Sequence, residues 1–215
     1  MIFHGYFRSS SAYRCRIAFN LKNIGYDFVS VHLRKGGGQQ KLPVYTALNP
    51  QALVPTLEVD EEVMTQSLAI IEWLDETYPE PPLLPTEPFV RAKARAFAQV
   101  IACDIHPLQN LRVLAYLRET FAADQAALDI WCQRWIGDGL AACEALLAGE
   151  PKQAFAFGDR PGLAEICLIP QMFSADRFGL SLEAYPRLRR LRETCEALPA
   201  FAEAHPMKQP DAEAA

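Results

Sequence analysis

The 215-residue chain has six cysteines but no C-x-x-C pair and no Cys/His spacing of a zinc site. Cys15, Cys103, Cys132, Cys143, Cys167 and Cys195 stand singly, mostly in apolar, helical-looking surroundings. That usage reads as reduced structural thiols and gives no reason to expect a metal. Positive charge is also short: 21 Lys and Arg stand against 26 Asp and Glu, a formal net charge of −5. This argues against a general nucleic-acid or anionic-membrane surface, so an anionic ligand needs a local basic pocket. No apolar run is long enough to span a bilayer, and the opening Met1 to Phe7 lacks the charged region and long apolar stretch of a signal peptide. A cytoplasmic protein is expected, with no membrane partner. Internal repeats and low-complexity segments are missing too, apart from a polar stretch after His205. What the chain has in quantity is apolar residues, half of the total, enough to bury a substantial core in one large domain or two small ones.

The pattern changes once along the chain. Ile2 to Phe7 reads as a short buried strand, and a helix follows from about Ala12 to Asn23, ended by Gly25. Phe28 to Leu33 alternates as a strand does. Lys35-Gly36-Gly37-Gly38-Gln39-Gln40 is a glycine-rich loop without the G-x-x-x-x-G-K-[ST] pattern, so it reads as a connection and not as a phosphate cradle. Thr56–Val59 and Val63–Gln66 flank Asp60-Glu61-Glu62 as a hairpin. A helix then runs from Ser67, its expected N-cap, to about Tyr78. Pro79, Pro81, Pro82, Pro85 and Pro88 form a semi-rigid linker. From Phe89 to Phe201 almost everything is amphipathic helix, broken at Pro107, Gly149 to Pro151, Gly158 to Gly162 and Pro186. The division expected is an α/β domain over 1–80, a linker over 81–88 and an all-helical domain over 89–215.

The most informative segment is Ser9-Ser10-Ser11-Ala12-Tyr13-Arg14-Cys15-Arg16-Ile17-Ala18. Three hydroxyls close a strand and open a helix. The first N–H groups of a helix lack internal partners and the macrodipole is positive there, so the junction suits an anion, and a small-molecule thiolate is one. Taken alone, the segment reads first as an ordinary N-cap serine.

Further motifs turn that balance. Val54-Pro55 before the hairpin and Gln66-Ser67 after it resemble the thioredoxin-like domain of glutathione transferases. The opening segment resembles the S-S-C-x-W-R-x-R-I-A signature of the zeta class of that family. Asp104-Ile105-His106-Pro107-Leu108-Gln109-Asn110-Leu111-Arg112 and His205-Pro206-Met207-Lys208-Gln209-Pro210 also look like that class, and the resemblance spans essentially the whole chain. Ser11 and Tyr13 stand where the signature has Cys and Trp. Gly162-Leu163-Ala164-Glu165 stands where the family has Thr-x-x-Asp, so Glu165 has to cap its helix without a side-chain partner at Gly162.

The resemblance implies the glutathione transferase fold, an α/β thioredoxin-like domain followed by an all-α domain, with glutathione as cofactor and a homodimeric assembly. It assigns Ser9 to the sulfur, with Ser10 and Ser11 assisting. The backbone of Val54, ahead of a cis-Pro55, falls to the cysteinyl part, Gln66 and Ser67 to the γ-glutamyl carboxylate, and Gln40 to the glycine end. His106 and Asn110 are further ligand contacts. Cys15, two positions beyond Tyr13, reads as an inward-packed inert thiol. Arg14 and Arg16 are read as ties from the first helix to the domain interface.

Arg8, Arg112 and Arg177 would each read as solvated surface arginines by default. Their places in the family's motifs imply carboxylate clamps for a small dicarboxylate substrate. The implied activity is cis–trans isomerisation of maleylacetoacetate by reversible addition of the glutathione thiolate. Maleylpyruvate isomerisation, transfer to α-haloacids and a non-catalytic interaction module are the alternatives.

Overall fold

The computed structural model describes residues 1–213. By packing the chain forms two units, Met1–Pro82 together with the residues from Leu198 on, and Leu83–Ala197. The helical unit is therefore inserted between two stretches of the first unit.

The first unit is built on a four-stranded sheet. Strand β1 (Ile2–Gly5) leads into α1 (Ser10–Lys22) and then β2 (Asp27–Ser30). The one-turn helix α2 (Pro43–Thr46) precedes the hairpin β3 (Thr56–Val59) and β4 (Glu62–Thr65), and α3 (Ser67–Thr77) closes the βαβ–ββα order. The sheet order is β2-β1-β3-β4, with β1 parallel to β2 and antiparallel to β3, and β3 antiparallel to β4. Phe3 anchors one face, with edge-on contacts to Phe19 at 5.3 Å and Tyr26 at 5.2 Å. Helix α1 is buried almost all round, because α3 packs on it and so does the short α9 (Pro199–Ala204).

Several boundaries differ from the expectation for local reasons. Helix α1 starts at Ser10, with Ser9 as N-cap, and it ends at Asn23 in the left-handed region (φ 53°), where the Asn23 N–H bonds back to Asn20 O. The strand expected over Phe28–Leu33 stops at Ser30. The Val31 N–H still reaches Gly5 O at 2.7 Å, and His32 then turns its Nδ1 to accept the N–H groups of Arg34 and Lys35. Ser67 is the first helical residue of α3 and not its N-cap. Gln66 holds the cap position without a side-chain capping bond.

The second unit comprises α4 (Pro88–Gln99), a π-helical turn over Val100–Ile105, a 3-10 turn over His106–Gln109, α5 (Leu111–Phe121), α6 (Gln125–Ala148), α7 (Leu163–Arg177) and α8 (Pro186–Glu196). Helix α7 is its buried centre and packs against α4 and α8. Gly139 of α6 lies directly against the Ile105 side chain, where a Cβ would have no room. Gly162 is the N-cap of α7, and a Cβ there would strike the Leu83 carbonyl oxygen, which accepts the Leu163 N–H at 2.8 Å. Glu165 does the capping: its carboxylate accepts the Gly162 N–H at 2.9 Å and the Ala156 N–H at 2.7 Å. Among the described residues no helix is long and apolar enough to cross a membrane.

Candidate active site

The site in the first unit starts at the turn between β1 and α1. The Ser9 N–H donates to Tyr6 O at 2.9 Å, and Ser9 O accepts the Tyr13 N–H at 2.8 Å, the first bond of the helix. The Ser9 Oγ accepts the Ala12 N–H at 3.2 Å and lies 3.1 Å from Ser11 Oγ. Ser11 donates to Val54 O at 3.1 Å. A hydroxyl has one hydrogen, so with Ser11's spent on Val54 it is Ser9's that lies between the two oxygens. The Ser9 hydroxyl thus combines an oxygen polarised by the α1 N-terminus with one hydrogen free to turn to another acceptor. Val54 O keeps a second lone pair, and the Val54–Pro55 bond is cis as expected. Ser10, in the first turn of α1, is buried. Arg8 is half-buried with its guanidinium 5.0 Å from the centre of the Phe7 ring. Cys15 is fully buried, its Sγ 3.9 Å from Ser67 O.

A second cluster forms at the α3 N-terminus. Gln66 adopts φ 71°, a region that non-glycine residues seldom enter, and it donates through Nε2 to Gln51 Oε1 at 2.7 Å. Ser67 Oγ accepts from Arg14 Nη1 at 3.3 Å. The Arg14 side chain is buried, while its Nε and Nη2 have no partner among the described residues. Its Nη1 thus ties α1 to the Ser67 turn. Gln51 and the donors of Arg14 are site features that the sequence reading missed. No sequence signal marks Gln51, because the backbone twist at Gln66 that brings the two amides together is invisible in the sequence.

Gln40 lies in a 3-10 turn over Gln39–Lys41. Its Nε2 donates to Leu33 O at 3.4 Å and its Oε1 is buried without a partner. Gly38 sits at φ 106°, and the Gln40 amide fills the space that a Cβ at Gly38 would need. The glycine run therefore shapes the Gln40 loop.

In the helical unit His106 opens the 3-10 turn and Asn110 caps α5, its Oδ1 accepting the Arg112 N–H at 3.1 Å. Trp131 Nε1 donates to Leu108 O at 2.8 Å, and the buried Gln109 donates to Gln171 at 2.6 Å, which fixes the turn between His106 and Asn110. Arg112 is exposed on the first turn of α5. Arg177 is exposed at the end of α7, its guanidinium 5.6 Å from the centre of the Phe178 ring. Burial pushes the thiols of Cys132 and Cys143 up to about 12, so neither is a nucleophile at neutral pH.

The first unit thus has the thioredoxin-like βαβ–ββα order with a hydroxyl at a helix N-terminus, and the second is built of helices. Models of the glutathione S-transferase N-terminal and C-terminal domains match residues 3–82 and 112–194. The chain belongs to the glutathione S-transferase family, and its fold is that family's. It is 48% identical to a maleylacetoacetate isomerase of Pseudomonas aeruginosa, over 100% of both chains. It matches the holo structure of a bacterial zeta-class maleylpyruvate isomerase with TM-score 0.96 and 46% identity, over 99% of this chain and 100% of that one. A maleylacetoacetate isomerase of Methylobacterium extorquens AM1, solved with malonate and glutathione bound, matches with TM-score 0.95 and 40% identity over 100% of both chains.

Glutathione is the cofactor of this family, and two sets of orphaned buried atoms test whether the residues here fit it. Arg14 Nε and Nη2, next to the α3 N-terminus, are cation donors suited to a carboxylate, and Gln40 Oε1 is an acceptor suited to an amide N–H. Both chemistries belong to a γ-glutamyl tripeptide, so the residues fit.

Proposed function

We propose that the chain is a glutathione-dependent isomerase that converts maleylacetoacetate to fumarylacetoacetate. The observation that carries this reading is the Ser9 hydroxyl, an N-cap with one redirectable hydrogen, in a chain aligned end to end with a maleylacetoacetate isomerase. When bound, glutathione supplies a thiolate that adds reversibly to the cis double bond and lets that bond rotate.

Holding the thiolate is the task of the chain's own residues. Lowering a thiol from a pKa of ~8.5 by about two units requires roughly 2.7 kcal/mol of preferential stabilisation. Ser9 donates its hydrogen to the sulfur, and the α1 N-terminus adds its field. A hydrogen bond to a charged group contributes about 1.5–3 kcal/mol and a helix terminus about 0.3–1, which together reach the requirement. Ser10 and Ser11 assist, Ser11 by holding both Ser9 Oγ and Val54 O. The Val54 backbone ahead of Pro55 takes the cysteinyl part. Gln66, Ser67 and Arg14 take the γ-glutamyl carboxylate, and Gln40 takes the glycine end. His106 and Asn110 are assigned to glutathione, and Arg8, Arg112 and Arg177 to the carboxylates of a small dicarboxylate, by their places in the family's motifs. The active form is a homodimer, which light scattering reads directly.

The test is initial rates on maleylacetoacetate and on maleylpyruvate, with and without glutathione. Glutathione-dependent turnover with the higher kcat/KM on maleylacetoacetate is expected, and no turnover of either acid overturns the reading. The likeness to a maleylpyruvate isomerase at TM-score 0.96 favours the shorter keto acid as the second reading. A higher kcat/KM on maleylpyruvate selects it.

A further inference from the structure

The motif at His205 to Pro210 and the residues after it have no part in the reading above, yet they lie within the first unit beside the Ser9 turn. Phe7, two positions before Ser9, is fully buried, so its main-chain groups need protein partners. Its N–H donates to Asp211 Oδ2 at 3.1 Å. Its C=O accepts from Arg16 Nη2 at 3.1 Å. Arg16 is 1% exposed and also donates through Nε to Ala204 O at 3.0 Å, just before the motif. Asp211 Oδ2 also accepts from Ser30 Oγ at 2.9 Å, and Ala212 packs on the cluster of Tyr6, Phe7, Val31, Tyr45 and Val54. The motif itself is braced by His205 Nδ1, which accepts the Met207 N–H at 3.2 Å, and by Gln209 Nε2, which donates to Glu203 O at 2.9 Å.

We propose that Asp211 is a positioning residue for Ser9: with Arg16 it grips the Phe7 peptide groups from both sides and so sets where the Ser9 hydroxyl stands. The inference rests on the reading that Ser9 serves the glutathione sulfur. Losing the carboxylate leaves the fully buried Phe7 N–H without an acceptor, and a buried unpaired donor is costly enough to shift the turn. The turn from Tyr6 to Ser9 is short, so slack at Phe7 passes directly to Ser9. Burial lowers Arg16 to about 10, still well above neutral, so the guanidinium on the Phe7 carbonyl is charged where the site works.

The test uses the full chain with glutathione as the probe. The pH dependence of the ultraviolet thiolate band of bound glutathione gives the thiol pKa, and amide hydrogen exchange without glutathione gives the protection of Phe7 and Ser9. In Asp211→Ala the bound thiol pKa should rise by about one unit, which is a roughly threefold smaller thiolate fraction at neutral pH, with kcat falling more than KM rises. The Phe7 and Ser9 amides should exchange faster. Asp211→Asn keeps an acceptor oxygen for the Phe7 N–H and should restore most of the thiolate. Asp211→Glu keeps the charge but moves the oxygens by a methylene, so it should fall between the two and keeps the test decisive if Asp211→Ala does not fold. Lys208→Ala, on the same segment, should match wild type. Wild-type thiol pKa and amide protection in both Asp211→Ala and Asp211→Glu overturn the proposal, as does Asp211→Asn failing as badly as Asp211→Ala. Failure of the Ser9 reading looks different: wild type then shows no thiolate band at neutral pH, or Ser9→Ala leaves the band unchanged.

Discussion

Ser9 has two duties that different substitutions separate. It caps α1 through the Ala12 N–H, and in the proposed function it donates to the sulfur. Ser9→Ala should remove both, costing about 1 kcal/mol of stability and lowering turnover at least roughly tenfold. Ser9→Gly should lose the same turnover for only a few tenths of a kcal/mol, because glycine tolerates the cap position. Glutathione affinity by calorimetry should change little in either. Ser10→Ala should do less, and an equal loss in Ser10→Ala or in Cys15→Ala would identify the wrong residue as the donor. The turn at Ser9 and the helix that opens near Ser67 were legible in the residue order, while the roles proposed for Ser9, Val54, Gln66 and Ser67 came from the family resemblance. Arg14 was not legible. Its place under Ser67 follows from the packing of α1 on α3, which the spacing of Arg14 along one helix does not reveal.

At the scale of elements, the hairpin was the most legible part. Thr56–Val59 is found as read, and the second strand is displaced by one residue, since a charged turn between two apolar runs leaves few registers. The one-turn helix Pro43–Thr46 and the π-helical turn at Val100–Ile105 had no signal, because periodicity needs several turns to show itself. The cap of α7 illustrates a departure that the structure explains. Gly162 replaces the family's threonine where the Leu83 carbonyl leaves no space for a Cβ, so Gly162→Thr should lower stability by about 1–3 kcal/mol in thermal or urea unfolding. Glu165→Gln should cost a similar amount, about 1–3 kcal/mol, because the amide offers an N–H to one of two N–H groups that need an acceptor. Burial raises the Glu165 carboxyl above the ordinary carboxylate range, with the Gly162 and Ala156 N–H bonds opposing the shift. A folded pKa above the unfolded one gives stability that is fully present below the unfolded pKa and fades as pH rises through the folded pKa. Urea midpoints of wild type should therefore fall across that interval, and those of Glu165→Gln should lack this component.

For the molecule as a whole, a formal charge of −5 repels a dianion unless guanidinium groups are placed locally. Replacing Arg112 or Arg177 with Ala should raise KM for the dicarboxylate by one to two orders of magnitude, roughly 1.4–2.7 kcal/mol, with glutathione affinity nearly unchanged. Wild-type kinetics in both variants would return the chain to a glutathione transferase without an assigned acid. The sequence separated an α/β part from a helical part, but it assigned everything after the linker to the latter. The residues that bring Leu198 onward to the first unit, Arg16 on Ala204 O and Asn20 on Ala200 O at 2.9 Å, bond across more than 170 positions. No local pattern announces such a pairing. Its consequence lies in the order of synthesis. Residues 1–82 leave the ribosome ahead of the helical unit, yet the face of α1 that α9 covers stays bare until that unit and α9 have been made, about ten seconds later at common elongation rates. The first unit made alone as residues 1–82 should expose that face, bind hydrophobic dyes and pass through a glutathione column unretained. A nascent chain would then acquire its thiol site only once translation of the helical unit is over.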